Sequence, residues 1–533
     1  MFLTRLFRAA RPSATTMLAL TLAWCAGVAQ AQTLRWSSQG DPQTMDPYSQ
    51  NEGLTNAFNG QIYEFLVARD KQLAIVPALA TEWKQDSPTR WTFKLRRGVK
   101  FHDGRPLTAD DVVFSMNRAR EKTSQIAVYA GALADAKKLD DYTVQFDSTQ
   151  FDPVFLQHLN TVYIMSKSWC EEHRVTHPQN FAAKEETFTA LNANGTGPYM
   201  LASRQPDVRS VLRRNPNYWG RIEGNVQEVV YTPIHNSATR VAALLSHELD
   251  LVLDPPPGDV ERLRATPGLQ VVDGPENRIV FIGMDQARDE LLYASVKGRN
   301  PFKDVRVRKA LYEAIDVELI RTKLMSGLSQ PTGAVVSSRV GSRNDPDVER
   351  RLPFDVEAAK KLMADAGYAS GFEVTLDCPN NRYVNDERLC LALASMWAKI
   401  NIKVRVNAMP RTTYFPKIEK LDTSLYLLGW GGPLTDPESI FTPIYRNRGD
   451  MGIGSFNYGN YKDDTLDALA AASSREADPV KRAALIKQVF LRHNEQVHHI
   501  PLHRQVIPWA MRAGVTAVHR ADNWLEVSWI TLK

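Results

Sequence analysis

Long hydrophobic runs are scarce in this 533-residue chain, and that scarcity bounds what it can be. Beyond residue 31 no stretch is apolar and long enough to read as a membrane span. Cysteine is sparse as well: only Cys170, Cys378 and Cys390 follow residue 31, at spacings that fit no zinc template. Surplus charge is small. The formal net charge of +5 falls to +2 once Arg5, Arg8 and Arg11 are set aside, which argues against a nucleic-acid partner held by bulk electrostatics. Low-complexity tracts and short-period repeats are absent. So are the motifs G-x-S-x-G, H-E-x-x-H, G-x-x-x-x-G-K and G-x-G-x-x-G, and the paired acids Asp110-Asp111 sit where helix capping accounts for them. No enzymatic reading gains support, and no cofactor is expected.

The first residues read as a processing segment. Arg5, Arg8 and Arg11 precede a short apolar run from Met17 to Cys25, and Ala29-Gln-Ala31 forms an A-x-A cleavage site. A signal peptide over 1–31 and an exported, soluble mature chain are therefore expected. Trp24 ahead of Cys25 is a poor fit to a lipidation signal, which needs a small residue there. About 500 residues remain, more than one ordinary core holds, so at least two lobes are expected. In an exported chain Cys378 can bridge Cys390, closing a short loop around Arg382; three reduced thiols are the other arrangement.

Strand and helix signals alternate along the chain. Thr33 to Ser37, Trp91 to Leu95, Tyr142 to Phe146, Val226 to Tyr231, Leu249 to Leu253, Phe372 to Leu376 and Ile402 to Val406 read as strands. Thr108 with Asp111 makes a capping box for a helix through Arg120, Asp304 starts another, and Asp355 a third that Gly367 stops. This rhythm predicts an α/β chain with a largely parallel sheet. The apolar strand ending at Leu428 runs into Gly429-Trp430-Gly431-Gly432, a grammar suited to a cavity wall where backbone and indole meet a ligand.

Five ordered stretches carry a resemblance: Phe101 to Ser115, Gly195-Thr-Gly-Pro-Tyr199, Asn215-Pro-Asn-Tyr-Trp219, Pro301 to Ala310, and Gly429-Trp430 with Asp436-Pro437. Over essentially the whole mature length the chain resembles the family 5 extracellular solute-binding proteins, the dipeptide, oligopeptide, glutathione and nickel receptors of bacterial ABC importers. The resemblance implies a class II type periplasmic binding fold, with two lobes hinged around a ligand. It implies an N-terminal lobe over 32–275 completed by 506–533, with an inserted subdomain at about 76–194, and a C-terminal lobe over 276–505. The implied partners are a small peptide or peptide-like anion, inner-membrane permease subunits and their ATPase, with the receptor periplasmic and monomeric. A metal chelate, an opine or another carboxylate is the alternative solute.

Arg382 matches the arginine that takes a peptide carboxylate in the dipeptide receptor, for which a planar guanidinium fork is the right chemistry. Where that family places an amine-binding aspartate, three residues past the tryptophan, this chain has Pro433, which offers neither acceptor side chain nor N–H. Asp41 and Asp436 are the candidate substitutes, although Asp436-Pro437 also suits a plain turn. Gln39, Gly40, Trp430 and Gly431 are further candidate contacts, and Tyr383 and Tyr414 are candidates of a kind that more often packs than contacts a ligand. His493, His498, His499 and His503 form a dense patch, but no spacing puts three imidazoles on one face, so no metal site is expected.

Overall fold

The computed structural model describes residues 32–131, 133, 135–148, 150–336, 345–431 and 435–533. The processing segment, Gly432 and Pro433 therefore lie outside the described residues. Eleven strands form the main sheet. In chain order they are β1 (Thr33–Ser37), β2 (Tyr199–Gln205), β3 (Arg209–Arg214), β4 (Glu228–Tyr231), β5 (Leu251–Leu253) and β6 (Leu269–Met284). Then come β7 (Ser329–Pro331), β8 (Phe372–Pro379), β9 (Ile402–Met409), β10 (Leu425–Trp430) and β11 (His499–Arg512). Their spatial order is β9-β8-β10-β6-β11-β5-β1-β4-β3-β2, with β7 pairing onto β11.

Two strands hold this sheet together. β6 and β11 are antiparallel partners along most of their length: Leu269 to Pro275 pair with Val506 to Arg512, and Ile279 to Gly283 with His499 to Arg504. The register breaks between those halves, leaving Glu276, Asn277 and Arg278 as a bulged segment beside Gln505. On one side of the break, β5 continues the sheet from β11. On the other, β10 continues it from β6. Two large apolar clusters fill the molecule: one runs from Leu34, Phe58 and Leu212 across the boundary to Tyr426 and Leu428, and the other, with Phe302, Leu311, Trp397 and Ile402, lies on the side of β8 to β10. The molecule is thus two α/β lobes joined through β6 and β11.

The sheet is mixed, not largely parallel as the helix and strand rhythm predicts. β1 runs parallel to β4 and β5, and β8 parallel to β9 and β10. The pairings of β6 and β11 are antiparallel, because β11 carries the chain back across the boundary that β6 crossed first. Alternation of elements specifies crossover units, but says nothing of two strands shared between lobes.

Local signals hold well. Thr108 and Asp111 form the capping box of the helix Ala109–Ala119, which buries Val112 and Met116. Asp304 and Asp355 cap Val305–Glu313 and Val356–Asp365 through their side chains, and Gly367 follows the latter at φ +83. A four-stranded antiparallel sheet of Ala80–Ser87, Arg90–Leu95, Thr143–Asp147 and Asp135–Asp140 stands apart from the main sheet. The Gly-Thr-Gly and Asn-Pro-Asn-Tyr-Trp stretches meet at one half-buried carboxylate: Thr196 Oγ1 and Tyr218 OH each donate to Glu64 at 2.8 Å, and Trp219 Nε1 at 2.7 Å. Burial still pushes the Glu64 carboxyl up to about 7.

Cys378 and Cys390 are joined in a disulfide that ties the end of β8 to the helix Asp386–Ala398; Cys170 is a buried free thiol. A loop of sequence separation 12 limits the unfolded chain enough to stabilise the fold by roughly 3 kcal/mol. Thermal unfolding with and without a phosphine reductant should show a clear fall in melting temperature on reduction. Cys390→Ser should melt at the lower temperature and ignore the reductant.

Candidate functional site

The loop that follows β8 is built to hold one guanidinium still. The disulfide fixes both ends, and the Asp386 carboxylate accepts the backbone N–H of Arg382 at 2.8 Å and of Tyr383 at 3.0 Å. Burial raises Asp386 to about 7, so those two donors do not fully offset its desolvation. Asn381 Oδ1 accepts the Arg411 N–H at 2.8 Å, tying the loop to the helix Arg411–Glu419. Facing this assembly from the other lobe is Glu52, the N-cap of the helix Gly53–Asn59.

Glu52 is the electrostatic centre of the contact. Its Oε1 lies 2.9 Å from Arg382 Nε and 3.1 Å from Arg411 Nη1, while Oε2 accepts Thr55 N–H and Oγ1–H at 2.9 Å each. Both Glu52 and the Arg411 side chain are 3% exposed. Burial alone would raise the Glu52 carboxyl, but Arg411, Arg382 and the Thr55 donors outweigh it and bring it down to about 2. Two guanidiniums share one carboxylate, which leaves a surplus positive charge at the lobe boundary.

The bulge between the halves of β6 adds a third guanidinium. Arg278 Nε donates to Glu276 Oε1 at 2.9 Å, and Gln505 Nε2 to Glu276 Oε2 at 3.2 Å. A Cβ placed on Gly53 would stand 3.1 Å from Arg278 Nη2 and 3.3 Å from Arg382 Nη2, so both forks reach one spot. Gly431 lies against the same bulge. A Cβ there would fall 2.1 Å from the Asn277 carbonyl oxygen, which is why the strand leaving Trp430 needs glycine.

Two adjoining cavities open around these groups. The larger encloses about 1110 Å³ of space, open solvent at its mouth included, and the smaller about 640 Å³. Gly53, Arg278, Arg382 and Asp522 line both and mark where they meet. The larger is walled by rings, among them Phe65, Tyr129, Phe415, Trp430, Phe456 and Trp524. The smaller is polar and includes Gln39, Asp254 and Glu276.

Of the residues singled out in the sequence, Arg382, Tyr383, Trp430 and Gly431 line the larger cavity and Gln39 the smaller, its Nε2 donating to the Tyr383 carbonyl at 3.3 Å. The other candidates line neither. Gly40 lies beneath the Arg411 guanidinium, whose Nη2 would stand 2.1 Å from a Cβ there. Asp41 is buried on Arg204 at 2.9 Å. Asp436 takes both ends of Arg482, at 2.7 and 2.8 Å, and accepts the Glu438 N–H as a turn. Tyr414 is fully buried and donates to the Leu427 carbonyl. Each candidate acid already has a partner within its own lobe.

Glu52, Asn277 and Arg278 escaped the sequence reading. The signal for the last two was there: Glu276-Asn-Arg278 is a polar break inside a buried strand. The histidine patch is core. His493 Nε2 and His499 Nδ1 share a hydrogen bond of 2.9 Å, His498 lies 3.1 Å from Asp463 and stacks on Tyr461, and none lines either cavity. Among the described residues no three His, Cys, Asp or Glu side chains converge on a metal-sized space.

The depressed carboxyl of Glu52 fixes a sign. Its folded value of about 2 lies below the ordinary 4.5, so its stabilisation is complete above pH 4.5 and is lost as pH falls toward 2. Melting temperature should drop through that window more steeply in the natural protein than in Glu52→Gln. At neutral pH the variant should be less stable by on the order of 3 kcal/mol in denaturant titrations.

Comparison with known proteins agrees with this architecture. Heme-binding protein A of Haemophilus influenzae is 27% identical over 85% of this chain and 83% of its own length. The dipeptide-binding protein of Escherichia coli is 26% identical over 90% of each. The solved structure of an ABC transporter-associated periplasmic binding protein from Helicobacter pylori, in complex with peptide STSA, superposes with a TM-score of 0.83 at 23% identity, over 94% of this chain and 98% of that one. Residues 74–452 match the model of the bacterial extracellular solute-binding proteins, family 5. That span is more than half of the chain, and the protein belongs to this family.

Proposed function

We propose that the protein is the periplasmic receptor of an ABC importer, capturing a small peptide or peptide-like anion between its lobes and presenting the closed form to an inner-membrane permease. One observation carries this reading: the guanidinium of Arg382 lines the cavity between the lobes, and among the described residues no hydrogen bond engages its Nη atoms. Glu52 lies 2.9 Å from Nε as an ion pair, and the terminal fork suits a carboxylate.

The lobes in this reading are 32–275 with 506–533, and 276–505, divided at the bulge of β6 and at Gln505 opposite it, with a subdomain inserted at about 76–194. Capture needs no chemistry. A ligand that touches both lobes favours the closed arrangement by the difference in its affinity for the two states, and the energy of transport belongs to a separate ATPase. Arg382, Tyr383, Trp430, Gly431 and Gln39 are the proposed contacts. The protein acts as a monomer, exported by removal of 1–31.

Native mass spectrometry of protein purified from its own cells tests this directly. A co-purified anion of peptide size is expected, released on unfolding. Arg382→Ala should weaken that solute by roughly 2 to 4 kcal/mol. Glu52 keeps Arg411 in the variant, so a cooperative melting transition should survive. Unchanged affinity would remove Arg382 from the site.

A further inference from the structure

Resting on that receptor reading, we propose that the solute is an amphipathic carboxylate without a free amine, its oxyanion received by the paired forks of Arg278 and Arg382 and its apolar body held by the ring-walled cavity. Three observations converge on it.

The first is the matched posture of the two arginines. Each has its Nε beside an internal carboxylate, Arg382 on Glu52 and Arg278 on Glu276, both at 2.9 Å. Among the described residues neither has a hydrogen bond at its Nη atoms, and both reach the space beside Gly53. Glu276 thus orients Arg278 by a hydrogen bond at Nε, Glu52 pairs with Arg382 by charge alone, and the terminal nitrogens of both are left toward the cavities. Two forks at one spot suit an oxyanion that accepts from both, a geometry lysine cannot reproduce.

The second is that, among the described residues, no acid lining the larger cavity is free for an ammonium group. Its lining carboxylates are Glu52 and Asp522. Glu52 is shared by two arginines, and Asp522 accepts from Arg520 Nε at 3.1 Å and Nη2 at 2.6 Å. An amine buried there without a counter-ion would cost several kcal/mol. Asp254, without an ion pair among the described residues, lines only the smaller cavity and accepts from Ser38 Oγ at 2.7 Å.

The third is the wall itself. Phe65, Tyr129, Phe415, Trp430, Phe456 and Trp524 present ring faces and edges to a body of matching apolarity, and several are held by contacts elsewhere. Trp430 Nε1 donates to the Ser439 carbonyl at 2.6 Å and its ring packs on Phe456 at 4.7 Å. Phe65 stacks on Tyr163 at 4.1 Å.

Titration calorimetry of the full mature protein, stripped of solute by unfolding and refolding, tests the proposal with three probes: N-acetyl-Leu-Phe, Leu-Phe, and N-acetyl-Leu-Phe amide. N-acetyl-Leu-Phe should bind at least about tenfold more tightly than Leu-Phe, and the amide should bind no better than Leu-Phe. Arg278→Lys, which keeps the charge, should weaken N-acetyl-Leu-Phe on the order of tenfold without altering the response to the amide. Equal or tighter binding of Leu-Phe overturns the proposal while leaving the receptor reading intact, and loss of that binding in Asp254→Asn would place the amine in the smaller cavity. Silence from all three probes also overturns it, whereas the receptor reading is judged separately by the co-purified solute.

Discussion

The placement of Glu52 between Arg382 and Arg411 is the constraint on which the site depends. A carboxylate this deeply buried is unfavourable by itself, and the arrangement persists because two cations and the amides of a helix start all converge on it. Those partners come from different parts of the chain and from opposite sides of the lobe boundary. Removing Glu52 leaves two buried cations poorly compensated, whereas removing Arg382 leaves Glu52 with Arg411 and the Thr55 donors. Gln125 to Glu419 at 2.6 Å and Thr435 N–H to Gln157 at 3.0 Å are further contacts across the boundary, but neither combines opposite formal charges.

The hinge strands supply the rest. A continuous β6 and β11 would form a stiff ribbon, and the bulge at Glu276 to Arg278 interrupts it at the lobe boundary, where the main-chain ladder is already broken. Glu276 and Arg278 are charged, yet nearly fully buried, and pair with each other. Placing an arginine in the bulge puts a cation at the lobe boundary beside Arg382, where, in the proposed receptor, a change in lobe angle would move one fork against the other. An oxyanion accepting from both would therefore sense the angle directly, through distances of hydrogen-bond length.

Much of this was legible in the sequence, and the boundary of legibility is physical. Helix starts at Thr108, Asp304 and Asp355 were readable because a cap and its partner lie within three residues. The Cys378 to Cys390 pairing was readable because few cysteines compete. The pairing of Asp41 with Arg204 and of Asp436 with Arg482 was not legible for the opposite reason: the partners lie far along the chain, and local spacing carries no trace of them. Glu52 was hidden in the same way, since it reads as an ordinary capping acid. β6 and β11 were hidden by their own composition. Pro501 and Pro508 punctuate β11, and three polar residues interrupt β6, so neither shows the apolar run that marked β10.

The ion pair at Glu52 also bears on how a ligand can matter. In this structure the protein's own ion pair bridges the lobes. A ligand can shift the balance of open and closed forms only by interactions that differ between them. Arg382 pairs with Glu52 by charge and Arg278 with Glu276 through its Nε hydrogen bond, while the terminal nitrogens of both are left to the cavities. A ligand oxyanion therefore need not displace either internal carboxylate. It adds to the bridge where the forks come together, and in the open form, with the lobes apart, the same group would meet one fork at a time. The difference between one fork and two is the free energy with which an anionic solute would favour closure.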